Sequence, residues 1–210
     1  MVVTVSREAE AGGEDVARLV ADAAGLHIAD RAILERIAQQ EGAPISHLLR
    51  FDEAMPGTIE ALIAEWQTSM SHATYLRRLI NVLLLLERED NVLIIGRGGA
   101  FVLTDPGTFH ARVTAPMPCR VAKIVQREGV PAGEAERALK RIDEEKARFV
   151  EQSFGADIAL PTHYDLTINT AELGIETAAE LVIRAARQKA TRRRISSESP
   201  EDFLSHLSHF

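Results

Sequence analysis

Read as apolar and polar positions, the chain alternates short β-branched runs with longer stretches of helical period. Residues 2–5 form an apolar run of strand length. Val16, Leu19, Val20 and Ala23 then recur at helical spacing and predict a helix over 14–24. The segment "GLHIADRAIL" gives a short extended piece at 26–28. A second helix follows it, starting near Asp30, a residue type that caps helix N-termini. From 36 to 91 the pattern is helical, through "ILERIAQQ", "TIEALIAEWQTSM" and "HATYLRRLINVLLLLERED". Strands are predicted at 92–96, 109–114 and 164–169, and helices at 117–128, 132–152 and 172–189.

Five strands interleaved with helices imply an α/β fold, a three-layer sandwich around a five-stranded, mostly parallel sheet. The stretch 36–91 reads as a helical insertion in one domain spanning 1–190. Residues 117–155 supply further helices, and the sequence from 191 to 210 reads as a C-terminal tail.

Composition narrows the function classes. Lys and Arg total 24 against 31 Asp and Glu, for a net charge of −7. That balance argues against nucleic acid as the main ligand and against a membrane surface. The single cysteine, Cys119, excludes an intrachain disulfide and a cysteine metal cluster. No secretory leader pattern opens the chain, and the apolar run at 82–86 is too short to span a bilayer. A cytoplasmic protein is expected, with its oligomeric state left open.

In sheets of this class, ligands bind beyond the carboxyl ends of the strands. Arginine recurs there: Ser6 and Arg7 after the first strand, Asp30 and Arg31 after the second, Gly96 and Arg97 after the third. A guanidinium grips phosphate with a two-pronged fork, so this recurrence suits a phosphate-handling crevice. "IIGRGGAF" fails as a dinucleotide fingerprint, because G-x-G-x-x-G needs glycine where Phe101 stands. On the charged helix, Asp143 and Lys146 share a face at i,i+3. That helix suits a lid carrying cations over a transferring phosphoryl group.

Together "VTVSREAEAGGEDVARLVADAAG", "ADRAIL", "NVLIIGRGGAFVL", "ARVTAPMPCRVAKIVQREGV", "RIDEEKARFVEQSFGAD" and "HYDLTINTAELGIETAAELV" resemble the cytidylate kinase-like family, a branch of the P-loop nucleoside monophosphate kinases. The resemblance spans most of residues 2–183. It implies a P-loop kinase-like domain in which 36–91 binds the nucleoside monophosphate and 117–155 contains the lid. It also implies that Ser6, Arg7, Gly12, Gly13, Glu14 and Asp15 face the ATP phosphates. Asp30, Arg31, Gly96, Arg97, Arg120 and Arg127 would serve the acceptor nucleotide. Asp143 would orient the lid, with Arg141 and Lys146 as its cations. ATP with Mg²⁺ is the implied cofactor, and small-molecule nucleotides are the implied partners.

The loop departs from the P-loop pattern G-x-x-x-x-G-K-[ST]. Gly13 takes the lysine position and Glu14 the position of the Mg²⁺-binding hydroxyl, while Glu8, Glu10 and Asp15 add further negative charge. A carboxylate ~4 Å from a phosphate oxygen costs about 4 kcal/mol at a surface-like dielectric. Three readings follow. Glu14 or Asp15 binds Mg²⁺; or the carboxylates point away, leaving backbone N–H groups and the helix dipole to hold phosphate; or ATP is not bound well. The first two fit a kinase moving the ATP γ-phosphoryl to CMP or dCMP. The third fits a catalytically impaired nucleotide-binding or regulatory protein of the same fold.

Overall fold

The computed structural model describes residues 1–30 and 72–197. Arg31, most of the expected insertion and the last part of the tail lie outside the described residues. In chain order the elements are β1 (Val2–Arg7), α1 (Gly13–Ala24), β2 (His27–Ala29), α2 (His72–Glu89), β3 (Val92–Ile95), α3 (Gly99–Val102) and β4 (Phe109–Thr114). They continue with α4 (Met117–Glu128), α5 (Ala132–Phe154), a 3₁₀ turn (Pro161–His163), β5 (Leu166–Asn169), α6 (Thr170–Leu173) and α7 (Ile175–Ser197).

The sheet has strand order β2-β3-β1-β4-β5, and all four pairings are parallel. Parallel strands need crossovers, and these bury the sheet on both faces. Strand alternation sorts the side chains. Val3, Val5, Leu93, Ile95, Ala111 and Val113 face one way, packed with Val16 and Val20 of α1 and Ala179 and Val182 of α7. Val2, Val92 and Ile94 face the other way, against Leu79, Leu83 and Leu86 of α2. Helices α4 and α5 pack on each other through Ile124, Ala135 and Leu139.

Small residues set the close packing of α1 on α7. Ala17 and Ala21 meet Ala178 and Ala186 in a fully apolar layer. Helix α1 starts and stops on left-handed glycines, Gly12 at φ 78° and Gly25 at φ 65°, and the Gly25 N–H caps the Ala21 carbonyl.

Strand β1 runs two residues past its expected end, to Arg7, and three further differences from the expected element boundaries have a local cause. The expected helix over 172–189 is broken at Gly174, whose φ of 79° and ψ of 166° no helix accommodates. Asn169 caps the short α6, its side chain accepting the Ala171 N–H at 3.1 Å. Helix α7 then runs to Ser197, beyond the helix end expected at 189, because "ATRRRIS" contains no helix breaker. The last strand starts at Leu166 rather than 164, since the 3₁₀ turn at 161–163 ends just before it.

Candidate active site

The carboxyl ends of β1 and β3 open onto the cleft. After β1 the chain makes a tight loop: the Glu8 N–H donates to the Val113 carbonyl at 3.1 Å, and the Ala11 N–H returns to the Glu8 carbonyl at 3.3 Å. Glu10 is held at φ 60°, an unusual value for a side-chain-bearing residue. Thr170, at the start of α6, donates its hydroxyl to the Ala11 carbonyl at 2.6 Å and fixes the loop from below. Gly12 follows in a left-handed conformation, and a side chain there would run into Ile175.

Each acidic residue of the loop meets a basic group. Glu8 accepts the Ala115 N–H at 3.1 Å and lies 3.7 Å from Arg120. Glu10 takes both Nη atoms of Arg127, at 2.8 and 3.0 Å. Glu14 accepts from Arg7 Nε at 2.8 Å, and exposed Asp15 sits 3.4 Å from Arg18 one turn along the helix. Asp15 therefore points along α1, whereas Glu14 turns back towards the strand end.

Helix α5 closes over this loop. Asp143 accepts the Ala9 N–H at 2.8 Å through Oδ1 and Arg120 Nη1 at 2.5 Å through Oδ2. The same Nη1 donates to the Ala9 carbonyl at 3.1 Å. Arg120 is only 5% exposed, and its Nε has no hydrogen-bond partner among the described residues. One turn on, Lys146 Nζ donates to the Arg7 carbonyl at 3.3 Å and stands 4.0 Å from Asp143. Arg141, on the same helix, faces solvent beside Glu145, 4.0 Å away.

Past β3 the backbone turns through three consecutive left-handed residues: Gly96 at φ 71°, Arg97 at 52° and Gly98 at 75°. A side chain at Gly98 would overlap the Phe154 ring, so glycine lets α5 approach closely. Between this turn, the end of β1 and α5 lies a cavity of about 290 Å³. Ser6, Arg7, Arg97, Lys146, Phe101 and Phe149 are among its lining residues. A second cavity of about 250 Å³ adjoins it, bordered by Arg7, Arg112, Asp143 and Lys146. Asp30 follows β2, which pairs with β3 at this end of the sheet.

Two charged groups are tuned by these surroundings. Burial, with the neighbouring Arg7 cation, lowers the Lys146 ammonium below its ordinary range, against the opposing pull of Asp143 and Glu14. Burial alone would raise Glu14, but Arg7, by charge and by hydrogen bond, holds it below the usual carboxylate value.

The structure thus brings together Ser6, Arg7, Gly96, Arg97 and Lys146 around one cavity. It pairs the buried Arg120 of α4 with Asp143 of α5, and the exposed Arg127 with Glu10 of the loop. Sequence reasoning missed Arg112 and Tyr164. The Arg112 guanidinium lies 5.5 Å from the Tyr164 ring centre and donates to Ser6 Oγ at 3.3 Å, while Tyr164 OH reaches the same oxygen at 3.4 Å. The signal was present in the charged residue inside the apolar strand "FHARVT", but it acquires meaning only once β4 pairs beside β1 with Ser6 opposite Arg112.

Known proteins agree with this architecture. A protein of Eubacterium ventriosum ATCC 27560, described as uncharacterized, superposes with a TM-score of 0.67 at 17% identity, covering 89% of this chain and 98% of that one. Shikimate kinase from Bacteroides thetaiotaomicron does so with a TM-score of 0.50 at 14% identity, covering 88% and 96%. These two likenesses establish the fold, a five-stranded parallel sheet with helices on both faces. In sequence, a cytidylate kinase of Archaeoglobus fulgidus is 25% identical over 90% of this chain and 96% of its own length. One of Desulfurococcus amylolyticus is 33% identical over 45% of this chain, and the match spans about half, 51%, of that relative. The profile of the cytidylate kinase-like family matches residues 2–172, and the chain belongs to that family.

Proposed function

We propose that the chain is a nucleoside monophosphate kinase-like phosphotransferase that moves the γ-phosphoryl of ATP to CMP or dCMP. The observation that carries this reading is the convergence of Arg7, Arg97 and Lys146 on one cavity at the carboxyl ends of β1 and β3. Phosphoryl transfer asks a protein chiefly for positioning and for neutralisation of charge spread over the phosphate oxygens. The loop from Ser6 to Asp15, with Gly12 and Gly13 opening α1, faces the donor phosphates. Gly96 and Arg97, with Asp30 at the end of the neighbouring strand β2 and Arg31 beyond the described residues, hold the acceptor phosphate. Lys146 brings a cation from α5, and Asp143 fixes that helix on the loop.

Mg²⁺ accompanies ATP in this reading and supplies positive charge between the phosphates. Mg²⁺ in kinase sites is held by one or two carboxylates together with nucleotide phosphates and water. Glu14 at the loop mouth meets that need. The test is a coupled turnover assay with ATP, Mg²⁺ and each nucleoside monophosphate in turn. Turnover fastest with CMP or dCMP supports the proposal, and turnover with none overturns it.

A second reading, a catalytically impaired nucleotide-binding or regulatory protein, draws on a different observation. The Ala9 N–H, a loop donor that a phosphate would seek, is occupied by the Asp143 carboxylate. Under this reading nucleotides bind without turnover.

A further inference from the structure

We propose that Arg7 is the phosphate-binding cation of this chain, replacing the lysine that a P-loop carries at the start of its helix; the inference rests on the phosphotransferase reading above. When G-x-x-x-x-G-K-[ST] is laid on the loop with Gly12 as its second glycine, Arg7 falls on the first glycine, Gly13 on the lysine and Glu14 on the hydroxyl. The missing lysine and the added arginine are therefore one change. The large cation and the small residue have exchanged ends of the loop.

The geometry shows why the exchange is coupled. A Cβ built on Gly13 would overlap Arg7 Cβ and lie 2.7 Å from Arg7 Cγ. A side chain fits at 7 or at 13, but not at both. With Gly13 bare, the Arg7 stem lies across the first turn of α1, where its Nε donates to Glu14 at 2.8 Å.

The guanidinium also reaches the other side of the cleft. Arg7 Nη1 is 2.5 Å from the point a Cβ on Gly96 would occupy, so the bare backbone of Gly96 makes room for it. Arg7 thus spans from the donor loop to the turn after β3 that carries Arg97, and it borders both cavities. A transferring phosphoryl group lies between donor and acceptor. A forked guanidinium there offers paired N–H donors, whereas the P-loop lysine offers a point charge. Glu14 engages Nε, and Nη1 is the atom directed at the Gly96 turn. Lys146, on the Arg7 carbonyl, adds a second cation beside it.

The experiment compares Arg7→Gln, which keeps most of the aliphatic stem, Arg7→Lys, Arg7→Gly, Gly13→Lys, and Arg7→Gly combined with Gly13→Lys. Each is measured for Mg-ATP affinity by calorimetry and for turnover with CMP, and its fold is checked by the thermal transition. Arg7→Gln is expected to weaken Mg-ATP binding roughly tenfold to a hundredfold, the range for lost hydrogen bonds to a charged group. Arg7→Lys should recover part of the loss. Gly13→Lys alone should be defective, because its side chain meets Arg7, and should regain affinity in the Arg7→Gly background. Wild-type affinity in folded Arg7→Gln, alongside turnover by the wild type, overturns the role of Arg7 and leaves the kinase reading standing. A double variant no better than Arg7→Gly overturns the exchange. A wild type that neither binds Mg-ATP nor phosphorylates any nucleoside monophosphate overturns both.

Discussion

Asp143 of helix α5 accepts the backbone N–H of Ala9 at 2.8 Å, joining the long helix after β4 to the loop after β1. Its other oxygen engages the buried Arg120, so one carboxylate holds together the loop, α4 and α5.

Replacing that carboxylate should cost stability. Asp143→Ala leaves the Arg120 guanidinium buried, with Glu8 at 3.7 Å as its remaining ionic partner among the described residues. Breaking a buried pair from one side typically costs about 3–5 kcal/mol, and the partial exposure of Asp143 reduces this to about 2–3 kcal/mol. Chemical denaturation of both proteins measures it. A loss under about 0.5 kcal/mol, the range of ordinary surface changes, would show that the latch is not structural.

Arg97 should behave in the opposite way. It lines the cavity at the end of β3, outside the packed layers of the sheet. Arg97→Ala is expected to leave the melting temperature nearly unchanged while weakening CMP binding by roughly 1.5–3 kcal/mol. Calorimetric titration with CMP decides the matter, and equal affinities would remove Arg97 from the acceptor site.

The Glu14–Arg7 pair predicts a pH dependence with a definite sign. The Glu14 carboxyl is held below its ordinary value of 4.5 in the folded chain, so the unfolded chain binds its proton more tightly. Its contribution to stability is present in full above the unfolded value and fades as the pH falls through the folded one. The stability difference between wild type and Glu14→Gln should therefore be flat near neutral pH and shrink below about pH 4.5. A difference that stays constant into that acid range would show that the pair adds nothing to the folded state.

Gly12→Ala tests the loop entry. The residue sits at φ 78°, and an added Cβ would run into Ile175 Cδ1. Left-handed strain of about 1–2 kcal/mol is expected from the backbone alone. Because Ile175 is a flexible neighbour, most of the cost should persist in Gly12→Ala combined with Ile175→Val. Full recovery in that double variant would assign the cost to the clash instead of to φ.

Some pairings in the site were legible because they are local. Asp143 and Lys146, three residues apart on one helix, are neighbours by helix geometry, and the structure sets them 4.0 Å apart. Arg141 shares that helix, yet it faces solvent beside Glu145. Charge pattern alone does not distinguish it from Lys146, because the face that meets the loop is decided by how α5 packs. Arg120 and Arg127 are separated by about two helical turns on α4, and the sequence treats them alike. One is buried against Asp143; the other spreads a two-pronged pair over Glu10 at the rim.

The alternation of apolar strands with helical periods determined the α/β class, the five strands and the helices around them, because burial on both sheet faces demands that pattern from local sequence. The glycines at 12, 13, 96 and 98 likewise marked the two turns of the cleft. Strand order was decided by tertiary structure: β1 lies between β3 and β4, which places Arg7 against Gly96 and Ser6 against Arg112. The destination of the loop carboxylates was decided there too, since Glu8, Glu10 and Glu14 take partners just after β4, on α4 and on β1 that chain spacing does not reveal. Hydrophobic periodicity is a property of neighbouring residues, whereas an ion pair depends on where whole elements dock, and that is settled only when the core closes.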